Sequence, residues 1–276
     1  MSSQAIIKEY KDVAARHETV YGKLSPHQSP YEDPYILHHS IEGVEFDFLI
    51  ANENGKIWYE QDYTGPGWRL VKKLIRPGDT VIDCGAHHGL LSIFYAKLTG
   101  STGKLIAIEP FRHNCDIIEF NAHINGVQNV EVRGNAVGKG DTTVSTVGDT
   151  SRLEYSEHSG KEPHAPCISL DAFADLSPAF IKLDIEGFEC DALEHAPNLL
   201  KSQCVVWDIT IHRKLITVVG GSMFRVIDLL RQHNYTLVRR DPDAKKGYTV
   251  LKDSHPLFQE RCFEFFALPK HRLEEL

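Results

Sequence analysis

Apolar and polar positions along this chain form short hydrophobic runs separated by longer amphipathic stretches. Thr80–Cys84, Lys104–Ile108, Val130–Arg133, Phe180–Leu183 and Cys204–Ile211 are rich in apolar and β-branched residues, as buried strands require. Leu90–Leu98, residues 112–125, Phe188–Leu200 and Met223–Gln232 carry apolar residues at helical spacing between and after them. Asn125-Gly126 ends the second of these helices, and Pro197 interrupts the third. Tyr235–Arg239 and Cys262–Leu268 add two more strands, the last predicted to return antiparallel. Alternating strands and helices from residue 79 onward predict an α/β fold built on a mostly parallel sheet.

The chain before residue 77 reads differently. Ile6, Ile7, Tyr10 and Val13 predict a helix over residues 4–16, and Gly22, Pro26, Pro30 and Pro34 predict an irregular arm over 22–35. Val44–Ile50 alternates apolar and polar residues, so it is expected to pair with Lys56–Tyr59 across Asn52-Glu53-Asn54-Gly55. A short helix over Trp68–Ile75 follows Gly65-Pro66-Gly67. These pieces predict a helix and hairpin cap, residues 1–76, packed on a core domain of residues 77–270. Residues 139–166, rich in Gly, Ser, Thr and charge, predict an excursion with a small hairpin around Thr142–Val147 and a loop.

The stretch from Gly78 to Gly89 carries the chemistry. A strand, a glycine turn and a helix start are the opening of a nucleotide-type binding unit, where helix amides and close main-chain approach favour an anion. The turn lacks the dinucleotide fingerprint, because His87 and Leu90 stand where its second and third glycines belong. Its pattern is Asp83-x-Gly85-x-x-x-Gly89, which suits a ligand bearing an ammonium and a carboxylate but no phosphate. S-adenosylmethionine fits. About 20 residues on, Glu109-Pro110 ends the next strand, where a carboxylate accepts hydrogen bonds from ribose hydroxyls.

Composition narrows the class. With 25% charged and 42% hydrophobic residues, the chain is ordinary globular material, and its net charge of −8 argues against a large nucleic-acid footprint. No apolar run approaches the roughly 20 residues that cross a bilayer. Met1–Tyr10 lacks the charged start and apolar core of a secretory signal. Six scattered cysteines without a C-x-x-C pair predict reduced thiols in a cytoplasmic protein.

Val81-Ile82-Asp83-Cys84-Gly85-Ala86, Ile108-Glu109-Pro110, Ile181-Lys182-Leu183-Asp184-Ile185-Glu186-Gly187-Phe188-Glu189 and the closing Phe265-Phe266-Ala267-Leu268-Pro269 resemble the FkbM family of SAM-dependent methyltransferases. The resemblance covers roughly residues 70–270. It implies a Rossmann-like, seven-stranded class I methyltransferase sheet and O-methylation of a sugar or other small-molecule natural product. Carried over by position, Asp83, Gly85, Ala86, His87 and Gly89 would hold the methionine part of S-adenosyl-L-methionine. Glu109 and Pro110 would meet the ribose, and Asn135 and Ala136 the adenine. His87-His88 departs from the family, which commonly has Asn after Gly-Ala. Glu-x-His at the end of the fifth strand aligns here with either Asp208-Ile-Thr210 or Thr210-Ile-His212.

A hydroxyl acceptor must lose its proton, which a carboxylate or histidine can take. Lys182, Asp184 and Glu186 share one strand face by alternation. Asp184 is the first candidate, His212 the second, and Glu186 stands beside them or begins the next helix. No metal is required, although Asp184 and Asp208, ending neighbouring strands, are a candidate pair for a divalent ion. Trp58, Tyr59, Tyr63 and Trp68 line a sugar or ring site or pack in the core. Acceptor choice is expected from the cap, residues 139–166 and residues 213–222. The competing readings are a catalytically inactive SAM or nucleoside sensor and an NAD-linked oxidoreductase.

Overall fold

Backbone conformation at Glu42 and Gly43 decides how the N-terminal segment is built. A computed structural model describes residues 3–21, 29–61, 63, 67–146, 153–155, 164–241, 244, 246–252 and 255–276. Glu42 and Gly43 both have positive φ, 48° and 76°, as in a two-residue hairpin turn whose twist matches its strands. Helix α1 (Ser3–Tyr21) precedes strand β1 (Tyr35–Ile41), which pairs antiparallel with β2 (Val44–Ile50), Ile41 opposite Val44. The hairpin expected between Val44–Ile50 and Lys56–Tyr59 does not form. Its presumed turn starts helix α2 (Glu53–Tyr59), because the Asn52 side chain accepts a hydrogen bond from the Gly55 amide at 3.0 Å. Such a cap satisfies an amide that a helix start otherwise leaves open. Helix α3 (Gly67–Leu74) then leads into the core. Of the arm expected over 22–35, residues 22–28 lie outside the described residues.

The remaining elements are β3 (Thr80–Cys84), α4 (Leu90–Thr99), β4 (Lys104–Ile108), α5 (Arg112–Ile124), β5 (Val130–Arg133), β6 (Ala136–Val137), β7 (Thr142–Thr146), β8 (Leu153–Tyr155) and β9 (His164–Ile168). After them come β10 (Phe180–Leu183), α6 (Glu189–Glu194), α7 (Pro197–Ser202), β11 (Val206–His212), α8 (Arg213–Val218), α9 (Met223–Gln232), β12 (Thr236–Arg240), β13 (Tyr248–Val250), β14 (Cys262–Leu268) and α10 (Lys270–Glu274). The main sheet runs β5-β4-β3-β10-β11-β14-β12-β13. Strands β5, β4, β3, β10 and β11 are parallel, and β14 enters antiparallel between β11 and β12. This is the mostly parallel sheet that the alternation predicts, in the Rossmann-like form that the resemblance implies, widened by β13, which pairs antiparallel with β12. The excursion is a second sheet, β6-β9-β7-β8, with residues 147–152 and 156–163 outside the described residues.

Strand alternation divides the core into two layers. Val81, Leu105, Phe180 and Val206 pack with Phe48 of the hairpin, Leu70 and Val71 of α3, and Ile93 and Phe94 of α4. Their neighbours Ile82, Ile106, Ile181 and Trp207 face α6, α7 and α9 through Leu193, Leu199, Val226 and Leu230. Each such side chain contributes about 1.5–3 kcal/mol by leaving water. The registers also set Asp83 opposite Lys182 and Lys182 opposite Asp208. Two residues on from Val81, Phe180 and Val206, these three charges therefore lie in a row on the α4 face.

Asn52 tests the helix start directly. Asn52→Ala removes the cap and is expected to lower unfolding free energy by about 1 kcal/mol, measured by urea denaturation. An unchanged midpoint and slope would mean that the cap does not stabilise α2.

Candidate active site

The carboxyl ends of β3, β4, β10 and β11 converge on a cleft of about 720 Å³, the place where open α/β sheets bind ligands. Asp83, Gly85, Ala86, His87, Glu109, Pro110, Asn135 and Ala136 line it, as do Asp184, Glu186 and His212. Gly89 does not. It caps α4 with φ 84°, and a Cβ there would meet Ile118 of α5 at 3.0 Å, so the position serves helix packing.

The glycine turn is tied to its neighbours by the main chain. The amides of Gly85 and Ala86 donate to the Ile108 carbonyl at 2.9 and 3.2 Å, and Gly89 donates to the Ala86 carbonyl at 2.8 Å. These amides of the turn are thus already used by the main chain. Gly85, at φ 77°, sits so close to the end of β10 that a Cβ would lie 1.9 Å from the Asp184 carbonyl oxygen. Absence of a side chain here allows the two strand ends to meet.

Glu109 is a junction. Its Oε2 accepts from the His87 amide at 2.8 Å, and its Oε1 accepts from the Phe111 amide and the Asn114 side chain at 3.1 Å each. Burial pushes the carboxyl up to about 7, while the three donors favour its charged form. The carboxylate retains acceptor capacity toward the cleft, since two oxygens offer about four lone-pair positions. Asp83 is likewise buried and raised to about 6 by desolvation, and it accepts from Ser92 Oγ at 2.5 Å.

His87, at φ 53°, stacks on His88 with centroids 4.1 Å apart. Burial lowers His87 to about 4, so the ring is neutral at ordinary pH, and its Nδ1 shares a hydrogen bond with the Tyr59 hydroxyl at 2.7 Å. A residue of α2 thereby touches the turn that follows β3. Tyr59 had no signal in the local pattern beyond its aromatic character.

Strand β10 ends at Leu183, so Glu186 does not reach the cleft by strand alternation. A left-handed backbone at Glu186, φ 52°, turns it there. Asp184 Oδ2 accepts from Lys182 Nζ and Thr210 Oγ1, both at 3.2 Å. Burial opposes ionisation of Asp184, but Lys182 and His212 prevail and hold it below the usual carboxylate range. Glu186 is shifted upward, chiefly by burial, against the lowering pull of His212. His212 Nε2 lies 3.7 Å from Asp184 Oδ1 and 3.5 Å from Glu186 Oε1, and its Nδ1 donates to Glu189 Oε1 at 3.0 Å. Burial alone would lower His212; hydrogen bonds with Cys262 and Glu189 and the charges of Glu186 and Glu189 carry it up to about 11.

Two residues change standing relative to the sequence reading. Asp208 is fully buried, does not line the cleft and shares its row with Lys182, so the Asp184–Asp208 pair is not presented to a ligand. Strand β11 still points inward at residue 208 and opens to the cleft only at Thr210 and His212. Glu189 was overlooked as a site residue, although it closes the Asp184-x-Glu186-x-x-Glu189 spacing and begins α6. Arg240 also lines the cleft, pairs with Glu264 and lies 4.8 Å over the Trp68 ring. Trp58 and Tyr63 line the cleft too, the Tyr63 ring 5.8 Å from that of Trp68.

Among known proteins, residues 83–237 match the Methyltransferase FkbM domain. A ribosomal protein L11 methyltransferase from Pelotomaculum thermopropionicum is 33% identical over 85 residues, 29% of this chain and 27% of that protein's length. A precorrin-6y C5,15-methyltransferase structure from Geobacter metallireducens superposes with a TM-score of 0.43 at 14% identity, covering 75% of this chain and 90% of that one. A methyltransferase FkbM structure from Methylobacillus flagellatus gives 0.42 at 18% identity, covering 74% of this chain and 51% of that one. With more than half of its residues inside the matched domain, this chain belongs to the FkbM methyltransferase domain family, whose cofactor is S-adenosyl-L-methionine.

Proposed function

We propose that the protein methylates oxygen, at a hydroxyl of a sugar or other small-molecule natural product. One observation carries this reading: a cluster of two carboxylates and a histidine, Asp184, Glu186 and His212, lines the same cleft as Glu109 and Asp83. The residues fit the cofactor. Glu109 retains acceptor capacity for ribose hydroxyls, Asp83 offers a carboxylate beside the turn, and Pro110, Phe111, Ala136 and Val137 supply apolar wall for an adenine. When bound, S-adenosyl-L-methionine supplies a methyl group already activated on a sulfonium, and a neutral thioether remains after transfer.

The protein's own contribution is then position and proton removal. As the oxygen–carbon bond forms and the sulfur–carbon bond breaks, the hydroxyl proton must leave. His212 already holds a proton, clamped among Glu186, Glu189 and Asp184, and Lys182 and Thr210 occupy one oxygen of Asp184. Glu186, shifted upward by burial and open to the cleft, is the better base, and the His212 imidazolium stabilises its carboxylate. Holding acceptor and methyl donor in line supplies up to about 7–11 kcal/mol in ideal cases. Residues 1–76 act as a cap on the 77–270 core in this reading, with Tyr59 joining cap to cofactor turn through His87. Trp58, Tyr63 and Trp68 supply a ring-binding wall for the acceptor. The free thiols among the described residues accord with a reducing, cytoplasmic setting. No helix of the described residues is long and apolar enough to cross a membrane.

Calorimetric titration with S-adenosylhomocysteine should give micromolar binding to the wild type and weaker binding to Glu109→Ala, with no binding of NAD. Binding of NAD instead would overturn the assignment. A screen of hydroxylated acceptors should detect products heavier by one methyl group; exclusive methylation of a protein or an RNA would refute the small-molecule reading. Glu186→Gln is expected to lower kcat about 10²–10⁴-fold, the contribution of a general base, with S-adenosylhomocysteine affinity retained. Since the base must be ionised, wild-type kcat should rise with pH through a midpoint above the usual glutamate range. A flat profile, or a Glu186→Gln variant with full kcat, would remove Glu186 from the role.

A further inference from the structure

We infer that Asp184, Glu186 and His212 form a binding site for a divalent first-row transition cation, bound at the acceptor end of the cleft. The ligating atoms of all three lie within 4.8 Å of one another. His212 Nε2 stands 3.7 Å from Asp184 Oδ1 and 3.5 Å from Glu186 Oε1. Two ligands each about 2.1 Å from one ion are roughly 3–3.5 Å apart, so both histidine–carboxylate pairs stand within a few tenths of an ångström of that spacing. An imidazole nitrogen with two carboxylate oxygens suits Mn²⁺ or Zn²⁺ better than Mg²⁺ or Ca²⁺, which favour oxygen alone.

A second observation lies outside the three ligands. Glu189 is fully buried, and its Oε1 accepts from His212 Nδ1 at 3.0 Å. A carboxylate on the far nitrogen fixes the tautomer and aims the Nε2 lone pair at the cluster, the arrangement that usually stands behind a metal-bound histidine. The other oxygen of Glu189 is buried without a hydrogen-bond partner, which leaves a desolvated carboxylate behind the histidine. Asp184 keeps Oδ1 for the ion because Lys182 and Thr210 bind Oδ2. All three ligands line the cleft, which leaves the ion's remaining positions to an acceptor hydroxyl. There the cation replaces the imidazolium proton as the positive partner of the carboxylates and makes the hydroxyl more acidic. This catalytic use of the ion rests on the methyl-transfer reading; the binding site itself does not.

The test uses full-length protein freed of metal by chelator and titrated with Mn²⁺ alone, free ion being followed by electron paramagnetic resonance. Wild type should bind one Mn²⁺ per chain. Glu186→Gln and His212→Ala, with circular dichroism matching the wild type, should lose that saturable site. Glu189→Gln should weaken it about 10–100-fold, as loss of an outer carboxylate does. Absence of saturable binding up to millimolar Mn²⁺, or equal affinity in wild type and both ligand variants, would overturn the site. S-adenosylhomocysteine titration of the chelated protein separates the two ideas. If it binds while Mn²⁺ does not, the cation site alone falls; if it fails to bind, the methyltransferase reading falls whatever Mn²⁺ does.

Discussion

A single buried ammonium, Lys182, makes this arrangement of strand ends tolerable. It stands between Asp83 and Asp208 in the registers of three adjacent strands and reaches forward to Asp184. Desolvation acts to discharge it, but Asp184 and Asp208 dominate and keep it well above the usual lysine range. Removing one partner of a buried ion pair costs about 3–5 kcal/mol, since the remaining charge is left uncompensated. Here the charges left would be carboxylates crowded at the ends of β3, β10 and β11. The acidic site can exist because one cation lies directly beneath it.

The polar floor passes into the reacting end through strand geometry. Lys182 and Thr210 hold one oxygen of Asp184, while His212, one strand repeat beyond Thr210, faces the other. Glu189 reaches the same histidine from the first turn of α6. Three consecutive features, a strand end, a left-handed residue at Glu186 and a helix start, thus place carboxylates around one imidazole. On the cofactor side the corresponding junction is Glu109, which ties the His87 amide to the segment entering α5.

The N-terminal segment joins the site by a different route. Hairpin β1–β2 lies under α4 and α5, with Asn121 accepting from the Leu49 amide and Asn125 from the Asp47 amide. Helix α2 then presents Tyr59 to His87. Where the family commonly carries Asn, this chain has a neutral histidine stacked on His88 and held by that phenol. The substitution and its partner lie 28 residues apart, and neither explains the other until the hairpin is folded.

Much was legible from local physical rules. Lys104–Ile108, Val130–Arg133, Phe180–Leu183, Met223–Gln232 and Cys262–Leu268 have the bounds their patterns predict, because buried faces demand continuous or alternating apolar residues. The convergence of Asp83, Glu109 and Asp184 follows from strand ends in a parallel sheet. What was misread depended on competition between local signals. Asn52-Glu53-Asn54-Gly55 resembles a hairpin turn, yet Asn52 caps a helix, and the true turn is the less distinctive Glu42-Gly43. Sequence by itself determined the order of strands and helices and the acidic strand ends, since periodicity and turn chemistry are local. Tertiary structure alone decided which acids open to the cleft: Asp208 is sealed beside Lys182, while Glu189 gains a role through His212. Strand register and packing set that outcome, and both depend on residues far apart in the chain.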